Sequence, residues 1–224
     1  VALERELAEG VRSWEDHFAQ ALITSVGEER AGTLDATYEM ALPEAYKEDV
    51  PAREAVTDIQ SLAALGDSGL SVAISQPAVA ESLRDMRFKI FRAGHPVSLA
   101  AVIPILTGFG VEVLDERPYR VTAKDGVERH IYDFGLRLPD QELPNASTFN
   151  ERFAEAFIAC WGLRSDSDGL NTLVTTGGLT GREVAAVRSW VEYARQSGSP
   201  FSAQYMTQVL VAHADIVDLL VQLF

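Results

Sequence analysis

Two glycine-rich runs are the first candidates for chemistry in this chain. Gly108-Phe109-Gly110 has the composition of a nucleotide-binding loop, but such a loop follows a strand and opens a helix, whereas here a predicted helix comes first. The run from Gly177 to Gly181 lies between two predicted helices. We therefore expect a helix C-cap at the first run and an interhelix turn at the second, and no phosphate site at either.

Histidine and cysteine give no catalytic or metal-binding pattern. The histidines stand far apart, at positions 17, 95, 130 and 213. None has a second His or Cys at the spacing of zinc ligands, and His130 and Asp133 would project to opposite faces of a strand. Cys160 falls in the aromatic stripe of a predicted helix, which favours a small buried hydrophobe over a nucleophile. Neither a metal site nor a catalytic residue is expected.

The loop from Ala93 to Ser98 joins a predicted strand to the start of a predicted helix. Backbone N–H groups at a helix N-terminus can donate to a carboxylate, such as the α-carboxylate of an amino acid. The candidate ligand-binding residues are therefore Gly94, His95 and Ser98. A plain connecting loop is the alternative interpretation.

Alternating apolar residues predict the strands around these candidates. The strands expected are two that start near Gly69 and Met86, two short ones at 111–114 and 119–122 that Pro118 separates, and one at 130–138 after a hairpin turn at 124–126. A short apolar helix from Ser98 to Thr107 lies between them, and Pro104 should kink it or delay its start. The order strand, strand, helix, strand, strand indicates an α+β unit.

The charged run at 115–119 (DERPY) interrupts this pattern. One interpretation is an exposed bend, with Glu116 and Arg117 in solvent. The other is a sheet edge that pairs with a further subunit or domain.

Helical periodicity dominates on both sides of the sheet. Before it, one apolar stripe runs from Leu3 to Leu22 and breaks at Gly27 and Gly32, and two further helices are expected at 33–42 and from Pro51 to Gly66. After the linker at 139–144, helices are expected at 148–163, from Thr180, at 202–213 and at 214–224. Capping boxes are expected at Thr148 with Glu151 and at Thr180 with Glu183.

Composition excludes several classes of function. The 224 residues are 47% hydrophobic and carry a formal net charge of −14, which disfavours binding to nucleic acid. No apolar run reaches the 18 or more residues that cross a bilayer, and no signal peptide is recognised. With one cysteine, no internal disulfide can form. We expect no membrane partner and a cytoplasmic location.

The two ends of the sequence suggest a piece of a longer protein. The first residue is Val, and the last ten form an apolar helix whose exposure would cost about 1.5–3 kcal/mol for each large side chain. We expect this last helix, with Ile216, Leu219, Leu220, Leu223 and Phe224, to pack against a segment that follows it.

Several blocks of the sequence together resemble the large bacterial NAD-specific glutamate dehydrogenases, whose subunits are about 180 kDa. The blocks follow one another over nearly the whole chain, at 42–48 (LPEAYKE), 55–59 (AVTDI), 98–106 (SLAAVIPIL), 113–119 (VLDERPY), 131–134 (IYDF), 168–174 (DGLNTLV) and 188–196. Two positions depart from the family pattern: Gly181 stands where Trp is frequent, and Ala100-Ala101 where Ser-Asp is frequent.

The resemblance implies a piece of the N-terminal region that precedes the catalytic domain. It implies an α+β fold with an ACT-like (ferredoxin-like) antiparallel sheet and flanking helices, plus N- and C-terminal helical segments. The expected domains are a helical arm at 1–50, an ACT-like domain at 51–140 and a helical domain at 141–224 that leads to the catalytic domain.

The function implied is that of a non-catalytic regulatory or architectural segment. The parent enzyme would oxidise L-glutamate to 2-oxoglutarate with NAD, but the glycine-rich turn and lysine site that this chemistry needs are missing from the sequence. No cofactor is therefore expected in this chain, and its expected partners are the catalytic domain of the same polypeptide, further subunits of a homo-oligomer and an amino-acid effector. The alternatives are a freestanding ACT-like amino-acid sensor and a helical adaptor whose α+β unit is a spacer.

Overall fold

The computed structural model describes residues 13–38, 40–77, 80, 82–140 and 146–224, the side chains of 146 and 147 excepted. The predicted stripe residues Leu3, Leu7 and Val11 lie outside them. The described residues fall into two compact units. The first unit lies within Val1–Ser71, Ile90–Pro96 and Arg117–Tyr132, and the second within Val72–Lys89, Val97–Glu116 and Asp133–Phe224.

Four helices begin the described chain, all in the first unit: α1 Trp14–Val26, α2 Glu28–Tyr38, α3 Glu44–Asp49 and α4 Ala52–Ala63. Helix α1 starts at a capping box of Ser13 with Asp16 and ends at Gly27, whose φ is 82°. The predicted break at Gly27 is confirmed. The break at Gly32 is wrong, because α2 begins at Glu28 and contains Gly32, whose missing Cβ lowers helix propensity without ending the helix.

Helix α4 begins after Pro51 and buries one apolar face, as its spacing predicts. Ala55, Ile59 and Leu62 are fully buried. The side chain of Trp14 on α1 donates from Nε1 to the carbonyl of Val50, 2.9 Å away. This bond ties α1 to the residue that precedes Pro51, and helices α1 and α4 pack against each other.

The sheet has four strands, β1 Gly69–Ser75, β2 Asp85–Ala93, β3 Glu112–Thr122 and β4 Glu128–Arg137, in the order β1-β2-β4-β3. The N–H of Leu138 donates to the carbonyl of Arg84, and that of Gly94 donates to the carbonyl of Glu128, each at 2.9 Å. The start of β2 therefore pairs with the end of β4, as antiparallel strands do. The predicted α+β fold with an ACT-like antiparallel sheet is confirmed.

Strand β3 corrects two predictions. It runs without interruption from Glu112 to Thr122, so Pro118 does not separate two strands, and the charged run at 115–119 is not a bend. The reason is its position: β3 lies at an edge of the described sheet, where a residue without an N–H is tolerated.

Six more α-helices and one 3-10 turn belong to the described part of the second unit: α5 Leu99–Gly108, α6 Ala146–Trp161, the 3-10 turn Gly169–Asn171, α7 Thr172–Thr176, α8 Gly181–Gln196, α9 Ala203–Ala212 and α10 Ala214–Gln222. The capping box of Thr180 with Glu183 is confirmed. The one at Thr148 is wrong, because α6 begins at Ala146 and Thr148 lies inside the helix. Pro104 does not delay α5, which starts at Leu99.

Aromatic side chains form the core of the second unit. Phe88 on β2 meets Phe157 and Phe153 of α6 at ring-centroid distances of 4.8 and 5.5 Å, in edge-to-face arrangements. Phe109, after α5, lies 4.8 Å from Phe153. These rings are fully buried. The predicted aromatic stripe of α6 thus packs against the sheet.

The end of α5 is held by threonines of α7. The hydroxyl of Thr172 donates to the carbonyl of Gly108 at 3.2 Å, and that of Thr175 donates to the carbonyl of Phe109 at 2.8 Å. Gly110 has a φ of 70°. The predicted glycine C-cap is therefore present. The end of α5 that it terminates also packs against α7.

Gly110→Ala should cost more stability than Gly126→Ala. Both glycines have positive φ, +70° and +77°, where an added Cβ costs about 1–2 kcal/mol. Only at Gly110 would that Cβ meet a described atom within 4 Å, the Cγ2 of Thr172 at 2.7 Å. We expect a loss in the free energy of unfolding that is about 1 kcal/mol larger at Gly110, measured by urea denaturation. Equal losses would contradict the close packing against α7.

Candidate functional site

The predicted ligand residues lie in the segment between β2 and α5. Gly94 has a φ of 82°, and its N–H donates to the carbonyl of Glu128 at 2.9 Å. The carbonyl of His95 accepts a hydrogen bond from Nε of Arg92 at 3.1 Å. Ser98 is the N-cap residue of α5 and makes no side-chain capping hydrogen bond. Gly94 and His95 belong to the first unit and Ser98 to the second, so a shared site stays a prediction.

A polar cluster next to Gly94 was not predicted from the sequence. His130 is 9% exposed, stacks on Tyr132 at 5.9 Å, and places Nε2 3.2 Å from Oε1 of Glu128. Oε2 of Glu128 pairs with Nη2 of Arg120 at 2.9 Å. Burial lowers the pKa of His130, although the charge of Glu128 opposes the shift. The predicted hairpin turn at 124–126 could have indicated this cluster, because it places positions 120 and 130 in neighbouring strands.

A second charged cluster joins three strands within the second unit. Arg87 on β2 donates from Nε to Asp133 on β4 and from Nη1 to Asp115 on β3, both at 2.9 Å. Gly135 lies beneath this bridge, since a Cβ there would clash with Oδ2 of Asp115. The carboxylate of Asp115 therefore accepts a hydrogen bond from another strand of the same sheet. Whether the edge of β3 also pairs with another subunit or domain stays a prediction.

A third polar cluster surrounds Arg188 on α8. Its guanidinium holds both carboxylate oxygens of Asp168, with Nε 2.7 Å from Oδ2 and Nη2 3.0 Å from Oδ1. Nη2 also donates to Oδ1 of Asn171 at 3.0 Å. Asp168 itself is the N-cap of the 3-10 turn, because its Oδ1 accepts the N–H of Leu170 at 3.0 Å. One arginine therefore fixes the segment that leads into α7.

Cys160 lies behind this cluster and supports it. The amide nitrogen of Asn171 donates to the carbonyl of Asp166 at 3.0 Å and lies 3.4 Å from the sulfur of Cys160. Burial raises the pKa of the Cys160 thiol, which keeps it neutral. The predicted role of Cys160 as a small buried residue is confirmed, since it is 4% exposed.

The hydrogen bonds of Arg188 hold the segment that leads into α7. The hydrogen bond to Asp168 raises the pKa of Arg188 and keeps the guanidinium charged. The bidentate pair directs Nε and Nη2 of Arg188 at acceptors of the protein, which fixes the loop that carries Asp168. In the sequence, Asp168 and Arg188 stand out only as members of the blocks at 168–174 and 188–196.

Within the described ranges, no group of three or more His, Cys, Asp or Glu side chains could hold a metal ion. Over the same residues, none of the helices has both the length and the apolarity to cross a bilayer.

Comparison with known families divides the chain into three matched regions. Residues 21–65 match the model of glutamate dehydrogenase helical motif 2, residues 69–149 the glutamate dehydrogenase ACT3 domain, and residues 165–224 glutamate dehydrogenase helical motif 3. The predicted domain boundaries, near residues 50 and 140, stay predictions.

Individual relatives match along the whole chain. The NAD-specific glutamate dehydrogenases of Halomonas elongata, Pseudomonas aeruginosa and Mycobacterium tuberculosis are 34%, 31% and 35% identical over 223, 222 and 232 residues. These alignments cover 99%, 99% and 100% of the chain. The chain spans about 14% of the length of each of these curated relatives.

Proposed function

This chain belongs to the NAD-specific glutamate dehydrogenase family, and from that premise we propose that it is a non-catalytic regulatory and architectural segment of such an enzyme. The whole enzyme would convert L-glutamate, NAD and water to 2-oxoglutarate, ammonium and NADH. The segment's partners would be the catalytic domain of the same polypeptide and further subunits of a homo-oligomer, in the cytoplasm.

The observation that carries the proposal is the order of the matched regions, with an ACT3 domain between two helical motifs of one enzyme family. The side-chain chemistry supports an architectural role. Arg87, Arg129 and Arg188 are each paired with carboxylates of their own unit, at 2.9, 2.8 and 2.7 Å. Their charges serve to hold strands and loops in place.

The role as a segment without a cofactor is tested by calorimetry with NAD. We expect no saturable heat when NAD is titrated into the chain, and saturable heat when it is titrated into the full-length enzyme under the same conditions. The full-length enzyme serves as the positive control. Saturable NAD binding to the chain alone would contradict the proposal.

An amino-acid effector is the regulatory part of the proposal. Its α-carboxylate would accept N–H groups at the start of α5, near Gly94, His95 and Ser98, a contact worth about 0.3–1 kcal/mol from the helix terminus. A thermal-shift screen of the common amino acids at millimolar concentration tests this expectation. A shift that Ser98→Pro abolishes supports the position, and a shift that survives this substitution places the site elsewhere.

A further inference from the structure

A groove between α8 and α9 is lined almost entirely by apolar side chains. It encloses about 420 Å³, with Trp190 and Val191 on one wall and Phe201, Tyr205 and Val209 on the other. Phe201, Tyr205 and Val209 are 55%, 50% and 39% exposed. A contiguous exposed surface of this composition is typical of an interaction site.

Helix α10 extends this surface. Leu219, Leu220 and Leu223 are 61%, 44% and 83% exposed, and the ring of Phe224 lies 5.2 Å from that of Trp190. Trp190 therefore connects the groove to Phe224, which follows the exposed Leu223. We call Trp190, Tyr205, Val209, Leu219 and Leu220 the α8–α10 surface.

The charged residues of α10 are acidic, whereas Arg188 and Arg195 of α8 are paired with Asp168 and Glu192. Residues 203–224 contain Asp215 and Asp218 and neither Lys nor Arg. Two copies that met through α10 would bring these carboxylates together, which is unfavourable because like charges repel. A helix with Lys or Arg beside its apolar stripe would complement the same surface.

We propose that the α8–α10 surface is the docking site for an amphipathic helix, apolar on one face and flanked by basic residues, from another part of the same dehydrogenase polypeptide. The inference rests on the proposed function. The relatives are far longer than this chain, which spans 14% of them, so an occupant on the same polypeptide is available. Covalent attachment gives such an occupant an effective concentration of roughly millimolar, which a second copy in dilute solution does not reach.

Hydrogen exchange of residues 203–224 tests the proposal, measured in the full-length enzyme and in the 224-residue chain at two concentrations. We expect exchange on the order of tenfold slower in the full-length enzyme. Leu220→Glu should abolish this difference. Ile23→Glu is the matched control, because Ile23 on α1 is 40% exposed and Leu220 is 44% exposed. It should leave the difference unchanged.

Three results would overturn the docking site. Equal exchange in both proteins would show that no other part of the enzyme covers the surface. Slower exchange in the isolated chain as its concentration rises would assign the surface to a second copy. An unchanged difference in Asp215→Lys would exclude a basic partner. Failure of the proposed function would be a separate result. If the full-length protein covers the surface and yet makes no NADH, the proposed function is contradicted and the docking site is not.

Discussion

Phe157→Ala should lower the free energy of unfolding by about 3–5 kcal/mol. Phe157 is fully buried, and its ring packs edge to face on Phe88 at 4.8 Å. Its truncation leaves a cavity between α6 and the sheet, which the neighbouring rings can fill only in part. Urea denaturation followed by tryptophan fluorescence measures the loss.

Phe201→Ala is the control for the aromatic core. Phe201 is 55% exposed and stacks on Tyr205 at 5.2 Å, so its removal creates no enclosed cavity. The expected loss is below about 1 kcal/mol. If the two substitutions cost the same, the packing of α6 against Phe88 is not the core of the second unit.

Arg188→Met should destabilise the chain by about 2–3 kcal/mol. The substitution keeps an apolar stem but removes a charged donor that holds Asp168 and the buried Asn171, and hydrogen bonds to charged groups contribute about 1.5–3 kcal/mol. The segment from Asp166 to Asn171 should also exchange its amide hydrogens faster than in the parent chain. Both changes are measured on the same purified variant.

Arg195→Met is the matched substitution on the same helix. Arg195 is 51% exposed and pairs with Glu192 at 3.0 Å, and an exposed pair of this kind contributes about 0–1 kcal/mol. We expect a change within about 0.5 kcal/mol. A loss at Arg188 no larger than that at Arg195 would show that the Asp168 contact is not structural.

Much of the fold could be predicted because its signals are local. The apolar spacing of α4, the alternation in β1 and β2, and the capping box at Thr180 each depend on residues a few positions apart. The errors at Gly32 and Pro118 have different causes. Gly32 lowers helix propensity without ending α2, and Pro118 is tolerated because β3 lies at an edge of the sheet.

The polar clusters could not be predicted in the same way. Arg188 and Asp168 are 20 positions apart, and Arg87 and Asp133 are 46 apart, so each contact depends on how loops and strands meet. A charged residue on a helix or strand is usually solvated, and the sequence carries no local sign that these are not. The fold can be predicted from the periodicity of apolar residues, whereas the polar clusters become visible only in the folded units.

NADH production from L-glutamate and NAD tests whether this chain is a non-catalytic segment, when the chain and the full-length enzyme are assayed side by side at equal molar concentration. We expect steady-state production by the full-length enzyme and no rate above a buffer blank for the 224-residue chain. Production by the pure chain would contradict its assignment as a non-catalytic segment, and no production by the full-length protein would contradict its place in a glutamate dehydrogenase.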